Sequence, residues 1–259
     1  MEPVIQLSAL KKIYSHGNEK KVVLKGIDLK VLPGQIIGYI GPNGAGKSTT
    51  VKIICGLLDN FSGEVKVDGL DIRKDAIEIK RRIGYIPESA SIYESITPME
   101  YFSFISEMRQ LDQKASLEKA RRFLKFFEIE ENAHQRLGSF SKGMKQKVLI
   151  ISALLHNPDV LFMDEPLSGL DANSVIKVKE IITQMASEGK TIFYSSHLMD
   201  VVEKVSNRII LINNGELVAD GTFDELKGEH HDESLEKMFA RLTGHLTENT
   251  DELNETLKG

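Results

Sequence analysis

Residues 41–49 read GPNGAGKST, and this stretch decides the fold class. It fits the pattern GxxxxGK[ST] and follows GQIIGYIG at 34–41, a continuous apolar run that is typical of a strand buried on both faces. A helix is predicted directly after it, at 46–58. Glycines in such a strand-to-helix loop let backbone N–H groups surround a polyphosphate. The stretch therefore predicts a nucleotide-binding loop in an α/β fold.

The side chains of this loop indicate how a nucleotide is held. Lys47 is expected to reach the β and γ phosphates, and the Ser48 hydroxyl can bind Mg²⁺. We expect the cofactors to be ATP and Mg²⁺. The residues predicted to hold them in this loop are Gly41, Pro42, Asn43, Gly44, Ala45, Gly46, Lys47, Ser48 and Thr49.

Segments on either side of the loop predict the rest of the fold. Runs rich in β-branched residues at 4–14, 22–31 and 63–67 predict strands of a partly antiparallel sheet. Strands at 159–163, 190–195 and 208–212, with a helix at 173–187, predict βα units on a mainly parallel sheet. We therefore expect a P-loop NTPase core with a mainly parallel sheet, an antiparallel β subdomain and an inserted helical subdomain.

Helical periodicity runs from about residue 98 to 156, which predicts a helical insertion in the α/β core. The expected boundaries are 1–225 for the nucleotide-binding domain, with the helical subdomain inserted at about 88–156. Residues 226–259 are expected to form a C-terminal helical tail.

The stretch VLFMDEP at 160–166 is an apolar strand that ends in two acids. Asp164, at the carboxyl end of the strand, can hold Mg²⁺ as a Walker B acid does, and Glu165 could polarise the attacking water. The alternative is a solvated strand end followed by a turn. The phosphate-binding loop elsewhere in the chain favours the catalytic interpretation.

Composition limits the classes of partner and compartment. A formal charge of −5 argues against a nonspecific nucleic-acid binder, so no nucleic acid is expected as a partner. The single cysteine, Cys55, excludes an intrachain disulfide and is expected in the core. No secretory signal and no apolar stretch of about 18 residues is visible, so we expect a cytoplasmic location unless another chain holds the protein at a membrane.

From residue 4 to about 225, the chain resembles an ABC-type ATPase, the nucleotide-binding subunit of an ABC transporter. The order of the motifs carries the resemblance, because FSKGM at 140–144 precedes Asp164 as the family motif LSGGQ precedes Walker B. The resemblance implies that Ser141 and Gly143 contact the γ-phosphate held by a partner subunit. It also implies that two such chains close around ATP.

The resemblance gives roles to three further positions. Asp171 in SGLD matches the D-loop at the dimer interface, and His197 in FYSSH matches the switch histidine that touches the γ-phosphate. Tyr14 lies where the family has an aromatic ring stacked on adenine; a half-buried strand tyrosine is the open alternative.

Two departures from the family pattern matter. Glu88 stands where the family usually has a glutamine near Mg²⁺ and the water, so we expect it to keep a catalytic and metal-binding role. Lys142 and Met144 replace a glycine and a glutamine of the signature motif.

The helix predicted to begin after Ser141 has two cations in its first turn. Lys142 and Lys145 face the positive end of the helix dipole, which disfavours each by roughly 0.3 to 1 kcal/mol. We expect the missing anion to be the γ-phosphate of ATP on a neighbouring subunit.

The implied partners are a second ATPase subunit, in a homodimer or heterodimer, and an integral membrane permease at the inner face of the cell membrane. Similarity of SKGMKQK and of SLEKMFARLTG at 234–244 to ABC-2 subunits implies export. A soluble ABC ATPase that acts as a scaffold in cofactor or cluster assembly remains the alternative. The residues expected either to dock the permease or to pack inside the helical subdomain are Ile92, Tyr93, Pro98, Met99, Tyr101 and Phe102.

Overall fold

The computed structural model describes residues 2–17, 19–88, 92–196, 199–227 and 234–244. The strands are β1 (Ile5–His16), β2 (Glu19–Val31), β3 (Ile36–Ile40), β4 (Ser62–Val67), β5 (Leu70–Asp71), β6 (Ile83–Ile86), β7 (Val160–Asp164), β8 (Thr191–Ser195), β9 (Arg208–Asn213) and β10 (Glu216–Gly221). The helices are α1 (Lys47–Ile54), α2 (Ala76–Arg82), α3 (Pro98–Met108), α4 (Gln113–Phe126), α5 (Lys142–Leu154), α6 (Ala172–Ser187), α7 (Met199–Val205), α8 (Phe223–Lys227) and α9 (Leu235–Thr243).

The strands form two sheets. The smaller sheet is antiparallel and has the order β2-β1-β4-β5. The larger sheet has the order β10-β9-β3-β8-β7-β6, in which every pairing from β9 to β6 is parallel and β10 is antiparallel to β9. The predicted α/β fold with a mainly parallel sheet and an antiparallel sheet is confirmed.

The larger sheet is covered on both faces. Ile37 and Tyr39 of β3 pack in an apolar core with α1 and the smaller sheet, whereas Ile36 and Ile40 pack in a second core with α3 to α7. All five residues of β3 are buried, as the run GQIIGYIG predicts. The loop after β3 therefore leaves a rigid strand at the carboxyl edge of the sheet, where ligands bind in open α/β sheets.

Helix α1 is shorter than predicted because a glycine ends it. The helix stops at Ile54, and Gly56 follows with a φ of 63°. The N–H groups of Gly56 and Leu57 donate to the carbonyls of Ile53 and Lys52, which is a Schellman ending. Cys55 is buried at this end, as expected.

The segment expected either to dock a permease or to pack inside is mostly internal. Thr97 and Glu100 form a capping box that begins α3 and turns the following apolar side chains inward. The docking interpretation is wrong for the buried residues of that set, which are Ile92, Pro98, Met99 and Phe102. Tyr101 is partly buried, and Tyr93 is exposed.

Segment 234–244 forms helix α9, which packs against the core. Ser234 accepts a hydrogen bond from the N–H of Lys237 at 3.4 Å, and Gly244 ends the helix with a φ of 74°. Leu235 and Met238 are buried in the same core as α7. Within the described residues, no helix has both the length and the apolar sequence that a bilayer crossing requires.

Candidate functional site

The loop between β3 and α1 is folded around the ammonium group of Lys47. Lys47 Nζ donates to the carbonyl of Gly41 at 2.6 Å and to that of Pro42 at 3.2 Å. Gly44 and Gly46 have φ values of 79° and 116°, which favour glycine. These residue types therefore let the loop curl back over its own lysine.

The start of α1 has an uncompensated positive end. Its N-cap residue, Gly46, gives no side-chain cap, and its first turn contains no acidic residue. The first N–H groups of a helix and its dipole favour an anion at this position. Together with the Lys47 ammonium, the helix start forms a site suited to phosphate.

Two carboxylates lie at the carboxyl end of β7, which β8 separates from β3 in the larger sheet. Asp164 is 2% exposed, and its Oδ1 accepts a hydrogen bond of 2.6 Å from Ser195 Oγ on the neighbouring strand β8. Glu165 has a φ of 47°, and its Oε2 accepts a hydrogen bond of 3.4 Å from Ser196 Oγ. Non-glycine residues with this backbone conformation cluster at functional sites.

These elements enclose a cleft of about 430 Å³. Its lining residues are Tyr14, Lys21, Val23, Asn43, Gly44, Gly46, Lys47, Ser48, Thr49, Glu88, Asp164 and Glu165. The structure thus brings together predicted residues from four separate parts of the chain. Three loop residues, Gly41, Pro42 and Ala45, shape the loop without lining the cleft.

Two lining residues were not predicted from the sequence, Lys21 and Val23. Lys21 lies opposite Tyr14 in the β1–β2 ladder. The register changes between Lys12 and Ile13, because β2 carries Val23 as an extra residue. Such a bulge redirects a side chain, and bulges are common next to active sites. A sequence pattern does not give this pairing register.

The carboxylates and Lys47 influence one another across the cleft. Burial lowers the pKa of the Lys47 ammonium, and Glu165, Asp164 and Glu88 oppose that shift. Opposite charges that face one another across a cleft keep Lys47 cationic, so it can hold a phosphate oxygen.

The oxygen atoms in the cleft fit Mg²⁺. The Ser48 hydroxyl and the Asp164 and Glu88 carboxylates are hard oxygen donors in one space. Mg²⁺ in nucleotide sites is held by one or two such ligands together with phosphate oxygens and water. Among the described residues, no group of three His, Cys, Asp or Glu side chains forms a metal site by itself.

Ser141, Gly143 and Asp171, also predicted to contact the cofactor, lie outside the cleft. Ser141 is the N-cap of α5, and its Oγ accepts a hydrogen bond of 3.2 Å from the N–H of Met144. A Cβ atom added to Gly143 would lie 2.4 Å from the carbonyl oxygen of Gly169, so the start of α5 packs directly on the loop at 168–171.

Asp171 is tied to its own chain. Its carboxylate caps α6 by accepting hydrogen bonds from Ser174 N at 2.9 Å and Ser174 Oγ at 2.6 Å, and it pairs with Lys147 Nζ at 3.1 Å. The hydrogen bonds from Ser174, and then the one from Lys147, hold the pKa of Asp171 well below its usual range.

The two lysines at the start of α5 have partners within the chain. Lys142 Nζ donates to Ser168 Oγ at 2.7 Å, and Lys145 Nζ pairs with Glu94 at 2.5 Å. The expectation that a neighbouring subunit's phosphate is needed to accommodate these cations is therefore wrong for Lys145, whose charge Glu94 balances. The first turn of α5 itself contains no acidic residue.

One predicted catalytic residue, His197, lies outside the described residues. It follows Ser196, whose hydroxyl contacts Glu165. Its contact with the γ-phosphate therefore stays a prediction.

Comparison with known proteins identifies the family. The ABC transporter family pattern matches residues 24–168, which include the phosphate loop and both acids after β7. The linearmycin resistance ATP-binding protein LnrL of Bacillus subtilis is 36% identical over 223 residues, which cover 86% of this chain and 70% of LnrL. The chain belongs to the ABC transporter family.

Solved structures of ABC proteins have the same fold. The ATP-binding subunit of an ABC transporter superposes with a TM-score of 0.85 at 29% identity, over 93% of this chain and 99% of that one. The cassette MJ0796, a dimer in a post-hydrolysis state with ADP and phosphate, superposes with a TM-score of 0.78 at 26% identity, over 84% of this chain and 98% of that one. This ABC protein is therefore an ATPase whose cofactors are ATP and Mg²⁺.

Proposed function

We propose that this chain is the ATP-hydrolysing subunit of an ABC-2-type exporter, which closes as a dimer and drives a separate membrane permease. One observation carries the proposal: Lys47, Asp164 and Glu165 meet in one cleft, whereas Ser141 and Gly143 lie outside it. A cleft with a complete phosphate loop and no signature residues of its own requires a second chain to complete it.

The phosphates of ATP lie along the loop from Gly41 to Thr49 in this proposal. Lys47 and the N–H groups at the start of α1 neutralise the β and γ phosphates. Ser48, Asp164 and Glu88 would hold Mg²⁺, which would supply charge stabilisation to the phosphates. Ser195 fixes the orientation of Asp164 through its 2.6 Å hydrogen bond.

Glu165 acts as the base that orients and polarises the attacking water. It lies one residue beyond Asp164, and its backbone conformation turns it away from the course of the strand. Ser196 restrains the carboxylate from the neighbouring strand end. His197, the next residue in the sequence, is proposed to contact the γ-phosphate.

The second subunit supplies the start of α5. In the proposed dimer, Ser141 and Gly143 of one chain meet the γ-phosphate bound by the other, and Asp171 lies near the contact between the chains. The cassette MJ0796, a dimer bound to ADP and phosphate, supports the formation of a dimer. The sequence is compatible with either a homodimer or a heterodimer.

The permease would contact an exposed apolar group of three side chains, one of which precedes α3 and two of which lie on it. The rings of Tyr93 and Phe104 meet edge to face with centroids 6.3 Å apart. Met108 is one turn further along α3 from Phe104, and all three side chains are exposed. Exposed apolar groups of this kind mark interaction surfaces more often than single exposed residues do.

Export and location complete the proposal. The segments SKGMKQK and SLEKMFARLTG resemble ABC-2 subunits, and LnrL is named for resistance to linearmycin, which favours export. The protein would then lie on the cytoplasmic face of the membrane, held by its permease. Its ATPase domain would span 1–225 with the helical insertion at about 88–156, followed by the tail at 226–259.

The first experiment uses Glu165→Gln. The variant should bind ATP with Mg²⁺ but hydrolyse it slowly, so ATP should convert it to a dimer on size exclusion. Lys47→Ala, which removes the phosphate contact, is the matched control and should stay monomeric. A Glu165→Gln chain that remains a monomer with saturating ATP would contradict the dimer mechanism.

A second experiment separates the helix-capping role of Ser141 from its proposed contact with phosphate. Asn and Asp both replace serine as N-caps, but only Asp adds negative charge. Ser141→Asp should abolish hydrolysis and Ser141→Asn should retain much of it, while ATP binding to the single chain stays unchanged. Equal activity of the two variants would show that Ser141 does not meet a phosphate.

The permease proposal is tested by copurification. The wild-type chain should purify from detergent-solubilised membranes with a multi-span protein, and Tyr93→Lys with Phe104→Lys should release it. Ile176→Lys, at an exposed apolar position on α6, is the control. Recovery only with soluble partners would support the scaffold alternative.

A further inference from the structure

Lys12 is a buried lysine beside the nucleotide cleft. It lies on β1 and is 5% exposed. Its Nζ donates to the carbonyl of Asp59 at 2.6 Å and to that of Asn60 at 3.0 Å. These two carbonyls, in the loop before β4, fix the position of the charge.

The same ammonium lies over the ring of Tyr14. Lys12 Nζ is 4.9 Å from the ring centroid, within the range of a cation–π contact. Tyr14 lies two residues further on β1, so the two side chains share one face of the strand. The Tyr14 side chain also lines the cleft and is 40% exposed. One ring thus meets a fixed cation and also reaches the nucleotide site.

A cation on the ring has two physical effects. It restricts the rotation of an exposed aromatic side chain, which lowers the entropy lost when a base stacks on the ring. It also draws π electrons toward itself, which makes the ring a better partner for an electron-rich purine. Both effects act on binding of the base and leave the phosphate loop unchanged.

We propose that Lys12 is a positioning residue for the base of the nucleotide, because it holds Tyr14 for stacking on a purine. The inference rests on the proposed ATP site and deepens it. Lys21, opposite Tyr14 in the ladder and also in the cleft, adds a second side chain at this base-binding end.

The test compares ATP with inorganic tripolyphosphate, which lacks a base. In Lys12→Met, the Kd for ATP with Mg²⁺ should rise about five-fold, whereas the Kd for tripolyphosphate with Mg²⁺ should change by less than about two-fold. The KM for ATP should rise with kcat unchanged, and Lys12→Arg should restore binding. The control is Lys11→Met, at an exposed neighbouring position.

A double-mutant cycle tests whether Lys12 affects ATP binding through Tyr14. In a Tyr14→Leu background, Lys12→Met should cause no further loss of ATP affinity. Lys12→Gln, which keeps a hydrogen-bond donor but removes the charge, gives the same comparison if Lys12→Met folds poorly. Thermal melting of each variant verifies that it is folded.

Three results would overturn the inference. These are an unchanged ATP Kd in both Lys12→Met and Lys12→Gln, an equal loss of ATP and tripolyphosphate binding, and an effect of Lys12→Met that persists without Tyr14. Failure of the proposed function has a different signature, because the wild-type chain would then bind neither ATP nor tripolyphosphate, and the inference would fall with it.

Discussion

Asp171 begins helix α6 and holds the ammonium of Lys147, and Asp171→Ala removes both contacts at once. The carboxylate accepts hydrogen bonds from Ser174 N at 2.9 Å and from Ser174 Oγ at 2.6 Å, and it lies 3.1 Å from Lys147 Nζ. If these contacts are its main contribution, the variant should lose stability in the isolated chain without nucleotide. A residue needed only at a dimer contact would show no such loss.

The expected loss has two parts. Removing an N-cap costs about 1 kcal/mol. The Lys147 side chain is 11% exposed and would lose its carboxylate, but Asp171 is 59% exposed, so solvent screening reduces this part to about 1 kcal/mol. The free energy of unfolding should therefore fall by about 2 kcal/mol, and the Tm by roughly 4 to 8 °C.

Urea unfolding without nucleotide measures this loss. Asp171→Asn keeps the cap and removes the charge, so it should lose about half as much as Asp171→Ala. A loss below about 0.5 kcal/mol for Asp171→Ala would refute the reasoning. It would mean that the contacts of Asp171 within the chain contribute little and that its main role lies elsewhere.

Three further predictions concern pH and the start of α5. Burial lowers the pKa of His156 from 6.5 to about 4, so the unfolded chain gains a proton as pH falls while the folded chain does not. This contribution to the free energy of unfolding is complete above pH 6.5 and falls by about 2 kcal/mol by pH 5, which urea unfolding at each pH measures. His156→Gln should remove that pH dependence. Gly143→Ala should cost about 1 to 3 kcal/mol of unfolding free energy, because its Cβ would lie 2.4 Å from the backbone oxygen of Gly169; a cost below 0.5 kcal/mol would contradict this packing. Lys142→Gly should change the free energy of unfolding by less than about 1 kcal/mol in the same assay. The lost contact with Ser168 is offset because a cation is removed from the first turn of α5. A larger loss would show that this contact stabilises the loop at 168–171.

The features that sequence predicted well are local. The phosphate loop, Asp164 and Glu165 each lie in a few consecutive residues of recognisable type and order, and the structure places them in one cleft. Their chemical roles stay predictions. The main strands follow from continuous or alternating apolar patterns. Strand β6 was not predicted, because it has only four residues and no glycine or proline separates it from the end of α2 at Arg82.

The features that sequence did not provide depend on contacts between distant segments. Lys21 and Val23 enter the cleft through the register of β1 on β2 and a bulge. Glu94 forms an ion pair with Lys145, which lies 51 residues away in the sequence, and no local pattern indicates that pair. Surface exposure is equally non-local, because Met99 and Phe102 look the same in the sequence whether they face solvent or α5.

The left-handed backbone at Glu165 has a consequence for the evolution of the chain. A sequence selected for stability alone would favour glycine or asparagine at this position, because either accommodates a φ of 47° more easily than glutamate does. Glutamate in this conformation lowers the free energy of unfolding by about 1 kcal/mol relative to glycine or asparagine at the same position. A selection for heat resistance that ignored hydrolysis would be expected to replace Glu165 early. Under the role proposed for Glu165, the resulting protein would be more stable and would hydrolyse ATP slowly or not at all.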